Sequence, residues 1–451
     1  MNHLINPVEV AAIRMAQTDW ATVPIRQRLQ VIAAARRRLA TDCEVVAAAA
    51  SRPNMSVTDI LLAEVMPLLA GCRFLEEQAD HILAARRPAG NRPVWLAGTK
   101  LLVRRVPFGV ILILAPRNYP LLLPAIQVLH ALTAGNGVMV KPAPGCAEPM
   151  RVLADVLVQS GLPRNLLVVL PDSDAAGVQA LRAGADKIVL TGSGQTGRQL
   201  LAQLAETITP AVLELSGDDA MIVLPGAPIE TVARAICYGL TLNGGQTCIA
   251  PRRILAVGAV RAALADRLAA LLPDCPPLSV TSDCSAQTTT MLEAFQGRVL
   301  GDATGVDQLV MRPLVLEVND GHTRVPPSFG PIGSLFGVPD INTAIAVANG
   351  SPHLLGASVF GPLSEAQAVA NRLRAGCVVV NDVIMPTADP RLPFGGAGDS
   401  GFGVTRGAEG LLEMTRPQAV ISRRRPISLL YRPLPASARQ WVAGSLRFIY
   451  G

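Results

Sequence analysis

Half of the 451 residues are apolar, only 4% are aromatic and 16% charged, so the chain is long enough for two or three domains built mostly from Ala, Val and Leu. A mean hydropathy of +0.36 would suit membrane spans, yet the longest apolar runs, such as Phe108–Pro116, stop well short of the roughly 20 residues a spanning helix needs. The formal charge of +6 reads as arginine dispersed along the chain, without a basic stripe interleaved with aromatics, and argues against nucleic-acid binding.

The first twenty residues lack a basic segment followed by an apolar core, so no secretory signal is expected and a cytoplasmic location is. The eight cysteines form no CxxC pair and the histidines are isolated, which excludes a disulfide scaffold and leaves no metal site to expect.

From Val8 to about Ala85 apolar residues recur at three and four, the helical period, as in Ile25–Ala40. Pro53 and Asn54 break this pattern, and Ser56-Val57-Thr58-Asp59 starts another long helix. From Pro93 the character changes. Leu101–Val103 and Gly109–Leu114 read as strands, the second buried on both faces.

Gly137–Val140, Leu166–Leu170 and Lys187–Leu190 follow as short strands, separated by helices over Glu148–Gln159 and Ala175–Ala183. The alternation predicts an open parallel sheet with helices on both faces, an α/β class. Val212–Leu215, Arg253–Val257 and Cys377–Val380 are further strand candidates. Pro273 to Arg324 shows no readable element, and the stretch from Arg423 is basic and broken by proline. No repeat of solenoid period occurs.

Several residues carry chemistry. Cys248 lies in Asn243-Gly244-Gly245-Gln246-Thr247-Cys248, where glycines and polar residues make poor core material. It is either a small buried hydrophobe, the ordinary fate of cysteine, or a nucleophile approached by backbone N–H groups. Glu214, between Leu213 and Leu215, is either a strand-edge carboxylate in water or a base in a cleft.

Thr191-Gly192-Ser193-Gly194-Gln195-Thr196-Gly197 follows a strand and opens a helix over Arg198–Ala205. Such a turn offers N–H groups to a diphosphate, although it lacks the GxGxxG spacing and βα turns are glycine-rich for geometric reasons too. Asn118 follows the buried strand and is either a turn former or an amide donor to an oxyanion. Lys141 is either a solvated strand end or a cofactor clamp.

These ordered motifs resemble the aldehyde dehydrogenase superfamily over nearly the whole chain. The likeness runs through Pro107-Phe108-Gly109-Val110 to Asn118, Ala134-Gly135-Asn136 to Lys141-Pro142, Thr191-Gly192-Ser193 with Gly197, and Leu213-Glu214-Leu215 with Gly217. It continues in Gly245-Gln246-Thr247-Cys248, Phe329-Gly330-Pro331, and Leu392-Pro393-Phe394-Gly395-Gly396 with Gly398, Ser400 and Gly401. The compact length and the Asn381-Asp382-Val383 segment look most like the short, dimeric class 3 branch.

The resemblance implies two open parallel-sheet domains and a bridging β element. Residues 1–92 and 107–216 would bind cofactor, 217–402 would form the catalytic domain, and 93–106 with 403–451 would form the oligomerisation element and C-terminal arm of a homodimer. It further implies Cys248 as nucleophile, Asn118 in the oxyanion hole and Glu214 as the base for deacylation. Lys141, Gly192, Ser193, Gly197, Leu215, Phe329 and Arg117 would meet NAD or NADP. The reaction so implied is oxidation of an aldehyde to a carboxylic acid.

Four positions depart from the pattern. Pro327 and Pro144 stand where carboxylates usually grip the two ribose groups, which opens the site to NADP. Arg117 replaces the usual tryptophan, and the interval from Cys248 to Pro327 is short. Retention of Glu214 speaks against an acylating enzyme that passes its thioester to coenzyme A, and the intact Cys248 and Asn118 speak against a degenerate homologue serving as a scaffold.

Tyr119, Leu121, Leu122, Tyr238 and Met385 are candidates for an apolar tunnel, whence a medium-chain or aromatic aldehyde. In the tail, Arg423–Arg425, Leu429, Leu430, Tyr431, Trp441, Leu446, Phe448, Ile449 and Tyr450 mix basic and apolar residues as membrane-surface segments do. An arm packed on a partner subunit is the favoured reading, because Pro426, Pro433 and Pro435 interrupt a long helix.

Overall fold

Val110–Leu114 (VILIL) is apolar at every position, which only a strand covered on both faces tolerates. In the computed structural model, Ile111 and Ile113 pack into one core with the preceding helices, while Val110 and Leu112 pack into another. Burying each such side chain is worth about 1.5–3 kcal/mol. The structure describes residues 5, 7–90, 93, 96, 98–318, 328–424, 431 and 433–451.

The chain divides into two units, one of residues 1–83 and 106–416 and one of 84–105 and 417–451. The first contains two large sheets. A six-stranded sheet runs in the order Gly401–Phe402, Ala211–Glu214, Lys187–Thr191, Val110–Leu114, Gly137–Lys141, Leu167–Val169, parallel except at Gly401–Phe402.

A seven-stranded sheet runs Arg298–Leu300, Leu314–Val318, Ile332–Val338, Pro251–Val257, Asp219–Val223, Gly356–Phe360, Cys377–Val380, antiparallel only at its first pair. Here too the strand faces alternate between cores: Met221 and Val223 enter one, Ala220 and Ile222 the other. The α/β class with parallel sheets is thus as the sequence predicts.

Helices Pro7–Thr22, Ile25–Thr41 and Met66–Ile82 supply the N-terminal cover. Ser56 caps the helix expected there, with a reciprocal capping box to Asp59. That helix then passes through a π turn at Leu61–Val65 before continuing, a feature the periodicity does not announce.

Two expectations need correction. The helix after the glycine turn spans Gly194–Leu204 rather than Arg198–Ala205, because Ser193 accepts a hydrogen bond from the Thr196 N–H and starts the helix inside the turn. Within Pro273–Arg324 lie a helix, Ser282–Ala294, and strands including Leu314–Val318. That helix, SDCSAQTTTMLEA, is mostly polar and gives the helical period little apolar signal. Residues 319–327, Pro327 among them, lie outside the described residues.

Thr99–Pro107 pairs with Thr415–Arg423, both strands lying mostly in the second unit, where Arg104 donates to the Gln418 side chain at 2.6 Å. Its last element is a helix, Ala438–Tyr450. Arg425, Pro426, Leu429, Leu430 and Arg432 lie outside the described residues. No helix among the described residues is long and apolar enough to cross a membrane.

Candidate active site

Val110–Leu114 is the first strand of the six-stranded sheet in chain order. The next two parallel strands are laid to one side of it and the following two to the other. Open parallel sheets bind ligands beyond the carboxyl ends of the strands at such a reversal. Those ends carry Arg117 and Asn118, Lys141, and Thr191 to Ser193.

A cavity of about 560 Å³ opens there, lined by Arg117, Lys141, Pro144, Asp174, Gly192 and Ser193. It shares Pro116, Arg117, Thr191, Gly192, Ser193 and Thr196 with a second cavity of about 680 Å³, lined further by Asn118, Glu214, Leu215, Cys248, Asp283 and Phe329. The structure therefore brings Cys248, Glu214, Asn118, Lys141, Gly192, Ser193, Leu215, Phe329 and Arg117 to one groove.

Gly197 is the exception. It sits in the helix behind the groove, where a Cβ would lie 2.8 Å from Leu215 Cδ1, so it allows the helix to approach that residue. The donor set suits an anionic dinucleotide: the cations Arg117 and Lys141 and the Ser193 cap of the Gly194–Leu204 helix line this cavity, and a helix start offers N–H groups to a diphosphate.

The backbone before Cys248 explains its glycines. Asn243, Gly244 and Gly245 all adopt left-handed conformations, with φ of 54°, 65° and 71°. A Cβ on Gly245 would come within 2.6 Å of the Gly330 and Pro331 backbone. The buried Arg252 guanidinium donates to the Gly245 and Gly330 carbonyls and ties the two loops together.

Glu214 is 2% exposed, which excludes the reading of a solvated strand-edge carboxylate. Its Oε2 accepts from the Thr405 hydroxyl at 3.0 Å, while Oε1 has no hydrogen-bond partner. Burial raises its pKa against the opposing charge of Arg406 and the Thr405 hydrogen bond. Burial likewise pushes the Cys248 thiol up, reinforced by the charges of Glu214 and Asp219 and opposed by Arg406.

On the far side of Cys248 and Glu214 a narrower, mainly apolar cavity of about 70 Å³ is lined by Tyr119, Leu122, Met385, Phe394 and Arg406. Of the expected tunnel residues, Tyr119, Leu122 and Met385 face it. Leu121 instead is fully buried in the core, and Tyr238 on the helix Ile229–Thr241 is absent from its lining.

Sequence reasoning passed over a chain of buried partners behind Asn118. Glu64, in the π turn, accepts from the Leu121 and Leu122 N–H groups at 3.0 and 2.9 Å and from Arg52 at 2.6 Å. Arg52 donates onward to Asn243 at 2.9 Å, and Asn243 donates to the Asn118 carbonyl at 2.8 Å. Asn118 Nδ2 in turn donates to the Gln246 carbonyl at 2.9 Å, leaving its second N–H for a ligand.

The only signals for Glu64 and Arg52 in sequence were a charge inside an apolar helix face and an arginine before Pro53. Arg406 and Thr405 had no motif around them at all. Glu64→Leu should lower stability by about 3–5 kcal/mol, because it strands the Arg52 charge and two N–H groups in the interior. Urea unfolding measures this, and a change below about 1 kcal/mol would contradict it.

Residues 8–420 match the Aldehyde dehydrogenase family. A relative named 4,4'-diapolycopene aldehyde oxidase, from Methylomonas sp, is 30% identical, over 97% of this chain and 86% of its own. One from Pseudomonas aeruginosa, named "probable coniferyl aldehyde dehydrogenase", is 29% identical over 92% and 91% respectively. A Mycobacterium tuberculosis aldehyde dehydrogenase solved with NAD+ superposes with a TM-score of 0.84 at 26% identity, over 93% of this chain and 90% of that one.

The chain belongs to the aldehyde dehydrogenase family. It is an NAD(P)-dependent enzyme that oxidises an aldehyde.

Proposed function

We propose that Cys248, Glu214 and Asn118 carry the reaction and that its product is a free carboxylic acid. The supporting observation is that Glu214 and Cys248 line one cavity while the Glu214 Oε1 has no protein partner. Cys248 loses its thiol proton to solvent and attacks the aldehyde carbonyl as the thiolate, and the alkoxide that forms receives the free N–H of Asn118 and the Cys248 backbone N–H. A nicotinamide bound in the groove supplies the hydride acceptor. Loss of hydride from the adduct leaves a thioester on Cys248. Glu214 then takes a proton from the attacking water, and the acid departs.

Lys141, Gly192, Ser193, Leu215, Phe329 and Arg117 are the residues proposed to hold the cofactor, within a cofactor part of residues 1–92 and 107–216 and a catalytic part of 217–402. A homodimer of the class 3 branch in the cytoplasm is the assembly proposed. An apolar aldehyde suits the lining of the narrow cavity, and the Methylomonas and Pseudomonas relatives carry the names of two such substrates. The test is an aldehyde panel with NAD or NADP, following the reduced nicotinamide. Turnover without coenzyme A supports hydrolysis; strict dependence on coenzyme A would overturn it.

NAD is the proposed preference over NADP. Asp174, at the start of the helix Asp174–Arg182, sits 3.2 Å from Lys141 Nζ and lines the same cavity as Pro144. It returns from another element the negative charge that Pro144 lacks, and it would oppose a 2′-phosphate. Asp174→Asn should therefore narrow the ratio of NADP to NAD dissociation constants by about two- to fivefold, the scale of an exposed, solvent-screened charge contact. Calorimetric titration with both cofactors reads this directly, and an unchanged ratio would refute it.

A further inference from the structure

The last acidic residue of the chain is Glu413. The 38 residues after it contain seven arginines and no aspartate or glutamate, whereas the preceding 413 residues carry 33 basic and 34 acidic side chains. The net positive charge is therefore not dispersed, as composition first suggests, but resides in the tail. Two of the four tyrosines and one of the three tryptophans are found there as well.

The tail ends in the helix Ala438–Tyr450, which has no buried residue. At about 100° per residue, Trp441, Val442, Leu446, Phe448 and Ile449 fall on one side. Gln440 and Arg447 fall opposite, with Arg439 and Tyr450 at one border. Trp441 is 74% and Phe448 92% exposed. A helix of 13 residues is too short to cross a bilayer, but this division of residues is that of a helix lying in the headgroup region, aromatic and aliphatic side chains inward, Arg447 outward and Arg439 at the boundary.

We propose that this C-terminal segment docks the enzyme on an anionic lipid surface. Charge decides between that occupant and a second copy of the chain. A copy offers an equally basic tail and a remainder with almost as many basic as acidic groups, so it presents no acidic surplus to neutralise seven arginines. Anionic headgroups do. The apolar face and the arginines then contribute together, as surface anchoring requires. The inference stands on the tail alone and does not depend on the reaction assigned above.

The experiment is sedimentation of the full-length protein with vesicles of phosphatidylcholine containing phosphatidylglycerol, and with vesicles of phosphatidylcholine alone. Binding is expected to the first only and to weaken as salt is raised. Trp441→Ser with Phe448→Ser, and separately Arg439→Gln with Arg447→Gln, should each reduce the bound fraction by about tenfold or more. Activity on a water-soluble aldehyde and the oligomeric state by light scattering should stay unchanged. Failure of the unsubstituted protein to sediment with anionic vesicles would overturn the proposal, as would equal binding to neutral ones. Variants that dissociate the oligomer but keep vesicle binding would assign the face to a subunit contact instead.

Discussion

Cys248→Ala removes turnover, with a loss of more than about 10⁴-fold expected for deletion of a covalent nucleophile. The substitution takes away one sulfur from a loop whose shape is fixed by other groups. Gly245 keeps its left-handed backbone, Arg252 still joins Gly245 to Gly330, and the Thr247 hydroxyl still meets the Tyr119 hydroxyl at 2.7 Å. The fold and the cofactor groove should therefore persist. Circular dichroism and calorimetric titration with NAD provide the control, both expected unchanged. Residual turnover within a factor of ten of the parent would remove Cys248 from the mechanism.

Alkylation by iodoacetamide should be slow at neutral pH in the free enzyme, since burial and the neighbouring carboxylates hold the Cys248 thiol above its ordinary range. Arg406 works in the opposite direction on both Cys248 and Glu214, its guanidinium held over the Phe394 ring at 4.3 Å. A residue outside those motifs thus moderates, without reversing, the upward shift that burial imposes on two residues that motifs do mark.

That contrast describes what was legible in the sequence. Parallel strands such as Val110–Leu114 and Gly137–Lys141 stand out because both faces are buried and every residue must be apolar. Cys248, Gly192 and Ser193 touch the groove from glycine-rich turns, and these are readable because a close backbone approach leaves a local signature. Gly217, whose Cβ would lie 2.4 Å from the Cys248 carbonyl oxygen, is one such mark.

Support from a distance leaves only faint marks. Glu64 reaches Leu121 across 57 positions and Arg52 reaches Asn243 across 191. Only the fold brings them together. The helix Ser282–Ala294 was hidden for another reason: its first two turns face the groove, with Ser282, Asp283 and Gln287 in the lining. Polar residues chosen for a ligand-facing surface erase the apolar period by which a helix is recognised.

Glu214→Gln separates the two halves of the reaction. The substitution preserves shape and an acceptor for the Thr405 hydroxyl, so acylation and hydride loss should proceed and give a burst of reduced cofactor close to one per active site. Water then lacks its base, and steady-state turnover should fall by about 10²–10⁴-fold. Glu214 works as a base only when ionised, and burial places its pKa above the ordinary carboxylate range. For the parent enzyme, the deacylation-limited rate should therefore decline as pH falls through that raised pKa, and recover on the alkaline side. In Glu214→Gln this limb should disappear, leaving a slow rate that no longer follows the carboxyl titration. Stopped-flow measurement across pH decides it: a parent-like steady state, or a retained acid limb in the variant, would assign the proton transfer to another group.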